Sequence, residues 1–249
     1  MAVNRGLPMT PTRYLRLPLS FDAARLQHDL RGIEDSPWIS HFNTGAYDKG
    51  WACIPLRSVG GRLDHIMPLD GAPFSDTVLL ARCPYVRQVL DAFECEKTSV
   101  RFMALEPGGV IKEHRDAGAS LDDGVTRLHI PVLTSPQVLF RIDGEEVHFS
   151  AGHTWYLNAS CLHGVDNRGA LPRVHLMLDC VTNPWLERMF VAAGGVLREP
   201  PPYGDPAIHD GNVLDVVAGL QAGGSPAAAG LAARLKAIHA QRQIAGPRH

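Results

Sequence analysis

The segment Ser99-Val100-Arg101-Phe102-Met103-Ala104-Leu105, broken by Pro107-Gly108-Gly109 and resumed in Val110-Ile111-Lys112-Glu113, decides the fold class of this chain. Both runs are short and β-compatible, and the Pro-Gly-Gly between them is turn chemistry. The same texture continues downstream, with strands predicted at 126–132, 138–142, 146–149, 154–157 and 173–181, punctuated by Asp143-Gly144 and Ala151-Gly152. Closely spaced short strands of this kind build a sandwich or barrel rather than a parallel α/β sheet.

On the N-terminal side, Ser20 reads as the cap of a helix running to about Gly32, with Leu26, Leu30 and Ile33 on its apolar face. Residues 51–56 form a short apolar strand, and Gly60-Gly61 marks a turn. Pro84 opens a second helix through Phe93, with Val86, Val89, Leu90 and Phe93 at helical spacing. On the C-terminal side, Asn183 caps a helix through about Ala193. Beyond Gly194, Pro200-Pro201-Pro202 is a stiff connector, followed by predicted helices at 210–220 and 226–244, the latter Ala-rich with Leu231, Leu235 and Ile238 on one face. The organisation expected is therefore a barrel domain with N-terminal helices over 1–193 and a helical appendage over 194–249. The appendage either packs on the barrel or forms the contact of a homodimer, and its Gly/Ala richness suits a partly flexible end.

At 249 residues the chain is long enough for one sizeable core plus such an appendage. A formal net charge of −2 without any Lys/Arg block gives no electrostatic footprint for nucleic acid. The five cysteines are odd in number, scattered and without a CxxC pair, which fits free thiols in a reducing compartment. Residues 1–16 contain no uninterrupted apolar run of the signal-peptide kind, and no run elsewhere is long enough to span a bilayer. The expectation is a soluble cytoplasmic protein with no membrane partner.

Chemistry concentrates in Glu113-His114-Arg115-Asp116 and Leu162-His163-Gly164-Val165. On extended backbone, residues two apart point to one side, so His114 and Asp116 reach a common point while Arg115 points away. His163 joins them from another strand. Two imidazoles and one carboxylate, with the rest of the coordination sphere open, are the ligand set of non-haem Fe(II) oxygenases. An HxD dipeptide alone is a weak signal, and its company strengthens it. Arg127 and His129 share one face of a predicted strand, with Leu128, Ile130 and Val132 opposite. Arg173 and His175 share a face of another, with Val174, Leu176 and Leu178 opposite. An arginine inside an apolar strand needs a partner, and its planar fork suits a carboxylate. Asp179 or Glu106 would serve, and so would a dicarboxylate co-substrate.

Taken jointly, Pro107-Gly108, His114-x-Asp116, Arg127-Leu128-His129-Ile130-Pro131, Gly152-x-x-Trp155-Tyr156-Leu157-Asn158, His163-x-Val165-x-Asn167 and Arg173-Val174-His175-Leu176-x-Leu178-Asp179 resemble the aspartyl/asparaginyl β-hydroxylase family of 2-oxoglutarate-dependent oxygenases. Phe42-Asn43-Thr44-Gly45 and the run from Trp51 to Arg57-Ser58 resemble its bacterial members, extending the similarity over residues 14–190. The resemblance implies a mainly β chain built on a double-stranded β-helix, a jelly-roll or cupin-like barrel, flanked here by N-terminal and C-terminal helices. It implies Fe(II) on His114, Asp116 and His163, and 2-oxoglutarate held by Arg173 with help from His129 and Arg127. Two departures matter. Eukaryotic members lack the acidic metal ligand that Asp116 supplies, and Met103 stands where they carry a serine that helps hold the co-substrate. The iron site thus resembles that of bacterial small-amino-acid hydroxylases, proline hydroxylases among them.

The activity implied is hydroxylation of a C–H bond of a free amino acid, an aminoacyl group or an Asp/Asn side chain in a peptide, coupled to conversion of 2-oxoglutarate and O2 to succinate and CO2. No nicotinamide or flavin site is needed, and neither Gly108-Gly109 nor Gly194-Gly195 carries a dinucleotide fingerprint. A second reading uses the same barrel as a non-catalytic cupin-like metal- or ligand-binding module, and a third as a metal-dependent isomerase or hydrolase. The loops at 64–76 and 117–125 would shape the mouth of the site, with Trp155 and Asn158 packing near it. His148, His153 and His209 read as turn or surface histidines, and Cys161 as a buried small side chain. Cys180 falls on the outer face of its strand. Arg57 reads equally as a substrate anchor and as half of a structural ion pair. His175 divides between the co-substrate's surroundings and the core.

Overall fold

A computed structural model of the protein describes residues 11–41, 43–64, 66, 73–199 and 201–245. Phe42, Pro200 and much of the 64–76 mouth loop lie outside the described residues, as do residues 1–10. The strands are β1 (Tyr14–Ser20), β2 (Ile39–Ser40), β3 (Trp51–Val59), β4 (Phe74–Asp76), β5 (Lys97–Leu105), β6 (Val110–His114), β7 (Val125–Leu133), β8 (Val138–Ile142), β9 (Glu145–Val147), β10 (His153–Leu157), β11 (His163–Asn167) and β12 (Arg173–Val181). The helices beside them are α1 (Ala23–Arg31), α2 (Pro84–Asp91) and α3 (Pro184–Ala192).

Among the described residues every strand pairing is antiparallel. A large sheet runs β1-β10-β7-β12-β5-β3-β2, with β4 beside β3, and a small sheet runs β6-β11-β8-β9. From β5 onward the chain passes back and forth between the two sheets: β5 large, β6 small, β7 large, β8 and β9 small, β10 large, β11 small, β12 large. That alternation is the double-stranded β-helix, and it forces residues distant in sequence to face one another across the barrel. The β8–β9 hairpin turns on Asp143-Gly144, both at positive φ (46° and 82°), the pair that a tight two-residue hairpin requires. At the barrel edge, Arg13 and the Tyr14 hydroxyl both donate to Glu145, each at 2.5 Å, tying the start of β1 to β9.

Alternation along the strands sorts the core into two layers. Between the sheets lie Met103, Leu105 and Met177 from the large sheet, with Ile111, Phe140, Ile142 and Val165 from the small one. On the other face of the large sheet, Leu128, Ile130, Leu176 and Leu178 pack under Leu26 and Leu30 of α1, Val86 and Val89 of α2, and Leu186 and Phe190 of α3. The large sheet is therefore covered on both sides, and Cys180, expected on an outer face, is wholly buried beneath those helices. All five cysteines are free.

Helix ends are satisfied by side chains. Asp22, not Ser20, caps α1, its carboxylate accepting from the N–H groups of Ala24 (2.8 Å) and Arg25 (3.1 Å). Ser20 is instead the last residue of β1, a strand hidden from the sequence reading by Pro18, which an edge strand tolerates. Asn183 caps α3 as expected, accepting from Leu186 N–H at 3.0 Å. The first turn of α2 is capped from α1: buried Asp29 accepts from Tyr85 and Val86 N–H, both at 2.8 Å.

The chain divides into two compact units, the first ending at Leu197 and the second beginning at Arg198; the sequence reading drew its boundary at 193/194. In the second unit, α4 (Val213–Ala222) and α5 (Pro226–Ala245) pack around Tyr203, Val213, Val217, Ala232 and Leu235. There the Tyr203 hydroxyl donates to Asp210 at 2.5 Å, and Arg242 grips the same carboxylate through two nitrogens at 3.0 and 2.9 Å. No described helix is long and apolar enough to cross a membrane.

Candidate metal centre

β6 ends on His114 and β11 begins on His163, and the register of the small sheet sets the two residues directly opposite each other. Their rings are 4.4 Å apart between centroids. Asp116 follows just past β6, its backbone N–H donating to Ala159 O at 2.8 Å, and its Oδ1 is 3.7 Å from His114 Nε2. One nitrogen or oxygen from each of the three side chains lies within 4.8 Å of the others. Arg115 turns away, as strand alternation demands, and donates to Ser160 O at 2.8 Å. Gly164, beside His163, is required here, since a Cβ on it would lie 2.7 Å from Ile111 O of β6.

The protonation of the two imidazoles follows from their hydrogen bonds. His114 Nδ1 is 2.8 Å from Lys112 O, and His163 Nδ1 is 3.0 Å from Cys161 O. A carbonyl oxygen only accepts, so each Nδ1 carries a proton and Nε2 is the nitrogen left for a metal. Burial also holds His163 neutral, lowering its pKa to about 4. Burial by itself would raise the Asp116 carboxyl, but Arg127 and the two imidazoles outweigh it and hold the group below the usual carboxylate range. Two imidazole Nε2 atoms and an ionised carboxylate form a donor set that fits a divalent first-row metal ion.

A cavity of about 570 Å³ is lined by these three residues and by Arg101, Arg127 and Arg173. The arginines are in different states. Arg127 faces Asp179 across the β7–β12 register and donates to it from Nε (2.8 Å) and Nη2 (3.2 Å), while its Nη1 bonds Asp116. Burial would lower its pKa, but the two carboxylates outweigh that and raise it. Arg101 shares Asp179 (3.3 Å) and donates to Ile66 O at 3.0 Å. Arg173 is only 3% exposed, and its guanidinium makes no hydrogen bond or ion pair with any described residue. Burial lowers its pKa to about 10, which leaves it charged at neutral pH. A buried cation without a counter-ion is costly, and a ligand carboxylate would relieve it.

Beside Arg173 stand the buried imidazoles of His129 and His175, Nδ1 to Nδ1 at 3.4 Å. His129 lines the cavity. Met103, where the resemblance anticipated a serine, faces His175 across the β5–β12 register, lines the cavity and offers no donor. His41 and Trp51 also line the cavity and stack on each other, centroids 3.5 Å apart and planes at 14°.

The sequence-predicted residues thus meet around one cavity, with one difference in role. Arg127, expected among the co-substrate's holders, has its donors committed to Asp116 and Asp179 because strand pairing puts a carboxylate opposite it. Asp179 is the partner that the sequence offered; Glu106 instead lies against Gly50. Arg57 is the structural alternative, bound to Asp76 (2.6 Å) and to the carbonyls of Lys97 and Phe74. Trp155 stacks on Phe149 inside the barrel at 4.6 Å, and Asn158 accepts from Ser160 N–H at 3.1 Å. Residues 117–119 and Val125 of the expected mouth loop do line the cavity. Sequence reasoning missed Arg101, although the argument applied to Arg127 and Arg173, a charge at an inward position of an apolar strand, points to it equally.

The profile of a family described as aspartyl/asparaginyl beta-hydroxylase matches residues 22–183. L-proline cis-4-hydroxylase of Rhizobium meliloti (strain 1021) is 28% identical over 163 residues, 65% of this chain and 58% of that protein. L-proline cis-3-hydroxylase 1 of Streptomyces sp. is 26% identical over 167 residues, 65% of this chain and 57% of that protein. The chain therefore spans less than two thirds of the length of these curated relatives. Among solved structures, a 2OG-Fe(II) oxygenase family oxidoreductase from Burkholderia pseudomallei matches 68% of this chain and 85% of its own, at a TM-score of 0.48 and 14% identity.

Proposed function

Because this chain belongs to the aspartyl/asparaginyl β-hydroxylase family, we propose that it is an Fe(II)- and 2-oxoglutarate-dependent dioxygenase that hydroxylates a C–H bond of an amino acid or an Asp/Asn-type residue. His114 and His163 hold the iron through Nε2, their Nδ1 protons fixed on Lys112 O and Cys161 O. Asp116 supplies the third ligand. Arg127 occupies its Oδ2 and so leaves Oδ1 toward the imidazoles. Arg173 pairs with a carboxylate of 2-oxoglutarate, assisted by His129. When bound, iron and the keto-acid supply oxidative decarboxylation to succinate and CO2, one atom of O2 entering succinate and the other the substrate C–H bond.

The observation that carries this reading is the convergence of three metal-competent side chains beside Arg173, a buried arginine that no described residue neutralises. The retained carboxylate of Asp116 favours hydroxylation, since a halide would need that coordination position. The names of the relatives put free proline first among substrates to try, followed by other amino acids, aminoacyl groups and Asp/Asn peptides. The test is a panel of these compounds incubated with protein, Fe(II), 2-oxoglutarate and air, scored by mass spectrometry. The expected result is a product heavier by one oxygen atom, formed in step with succinate. No product and no succinate from iron-loaded protein would return the chain to the non-catalytic cupin-like reading.

A further inference from the structure

The indole of Trp51 is the ring that the barrel holds against the candidate metal ligands. Its centroid lies 6.2 Å from that of His114, with 57° between the planes. Among the described residues no other ring outside the ligand pair contacts His114 or His163. Trp51 opens β3 opposite Leu105 of β5, and its side chain packs between the sheets with Met103 and Ile111. Two neighbours fix the ring. His41 covers one face at 3.5 Å, and Tyr47 meets it edge-on at 5.7 Å and 88°. The His41 N–H also donates to Trp51 O at 2.8 Å. The residue is 6% exposed, and its Nε1–H is buried without a partner among the described residues, so packing holds the indole where it is.

An indole is the most electron-rich ring a protein carries, and this one forms part of the cavity wall. With substrate in the cavity, the substrate C–H bond takes the second oxygen atom of O2. Without substrate, that atom goes to whichever oxidisable group of the chain is held closest, because fixed proximity outweighs intrinsic reactivity. Phe140 also lines the cavity, but it contacts His129 and His175 rather than the ligand pair. Met103 and Met177 are the chemical competitors, since a thioether takes up oxygen to give a sulfoxide. Trp51 is set apart from both by its ring contact with His114.

We propose that Trp51 is a self-modification site, hydroxylated on its indole ring when the loaded chain turns over without substrate. The step balances: one atom of O2 enters succinate, the other enters an indole C–H bond, and the displaced hydrogen becomes that of the new hydroxyl. The keto-acid and the indole each give up two electrons, and O2 takes all four. The oxidant rests on the functional reading above; the place of the ring beside the metal does not.

The test incubates the full chain with Fe(II), 2-oxoglutarate and air, without substrate, and maps tryptic peptides by mass spectrometry. Cleavage after Lys49 and Arg57 isolates residues 50–57, which contain Trp51 and no methionine, while Met103 falls in 102–112 and Met177 in 174–188. The expected result is one added oxygen atom on Trp51, formed together with succinate and lost when 2-oxoglutarate or air is withheld. A second readout needs no turnover: Co(II), bound in place of iron, should quench the fluorescence of wild type, and Trp51→Phe should lose most of that quench although Trp38, Trp155 and Trp185 remain. Succinate formed with Trp51 unmodified overturns the proposal, as does oxygen placed on Met103 or Met177 instead. Equal oxidation of Trp51 without 2-oxoglutarate overturns it too, and so does a Co(II) quench unchanged in Trp51→Phe. Succinate that appears only with a compound of the panel above overturns it by removing substrate-free turnover. No succinate under either condition would instead overturn the functional reading, and the Co(II) quench would still report where the ring stands. Where Trp51→Phe does not fold, the wild-type peptide map decides.

Discussion

Asp179 lies directly opposite Arg127 in the β7–β12 pairing and takes two hydrogen bonds from its guanidinium, at 2.8 and 3.2 Å. Through Arg127 it is one step from the candidate metal ligand Asp116, and through Arg101 one step from Ile66 near the mouth. Burial by itself would raise the Asp179 carboxyl, but the two guanidiniums outweigh it and hold it ionised. Asp179→Asn would leave two buried arginines sharing one residual negative partner.

Removing one member of a buried pair costs about 3–5 kcal/mol. We expect a loss of that size for Asp179→Asn in urea unfolding, together with weaker metal retention. Asp76→Asn is the control: that carboxylate is half exposed beside Arg57, and its loss should cost less than about 1 kcal/mol. Equal effects of the two substitutions would refute the buried-network account.

Arg173 should behave in the opposite sense. It is a buried cation with no counter-ion among the described residues, so Arg173→Met should raise stability measured without 2-oxoglutarate by at least about 1 kcal/mol. The same substitution should raise the 2-oxoglutarate KM at least about tenfold. Unfolding curves and a co-substrate titration on one preparation check both halves. A destabilised variant with unchanged KM would mean that Arg173 has a structural partner.

The histidines make the metal-free fold acid-labile in a particular window. Burial lowers His41 from 6.5 to about 4, and pushes His129 and His175 well below 6.5. Below pH 6.5 the unfolded chain binds protons that the folded chain refuses, so stability rises with pH in this window and falls as pH drops from 6.5 toward 4. Each neutral histidine contributes a slope of up to about 1.4 kcal/mol per pH unit. Asp116 and Asp179, both depressed, add their own loss only below the ordinary carboxylate value of 3.8. Urea unfolding across this range should show the slope, made shallower by one proton in His175→Phe. A flat profile would mean that these histidines are not buried in solution.

Much of this was legible in the sequence for physical reasons. The strands at 138–142 and 173–181 stand where alternation put them, and Asp143-Gly144 turns the hairpin because few other pairs adopt positive φ at both positions. What escaped depended on tertiary partners. β1 becomes a strand by pairing at a sheet edge despite Pro18. His163 was expected on a strand, but the extent of β11, the polar His163-Gly164-Val165-Asp166-Asn167, is set by pairing with β6 and β8 on either side. The committed state of Arg127 follows from register, which sets Asp179 opposite it and leaves its donors taken; the sequence offered Asp179 as one partner among several and could not choose it. The helices over the large sheet likewise turned an expected outer face into core at Cys180.

The central claim is that His114, Asp116 and His163 hold one catalytic iron, and the most direct measurement is succinate release from 2-oxoglutarate by wild type and His163→Ala, with iron content determined on both. The expected result is iron-dependent succinate formation and one iron per chain in wild type, and loss of both in a His163→Ala variant that remains folded. Normal succinate formation or full iron retention by His163→Ala would contradict it.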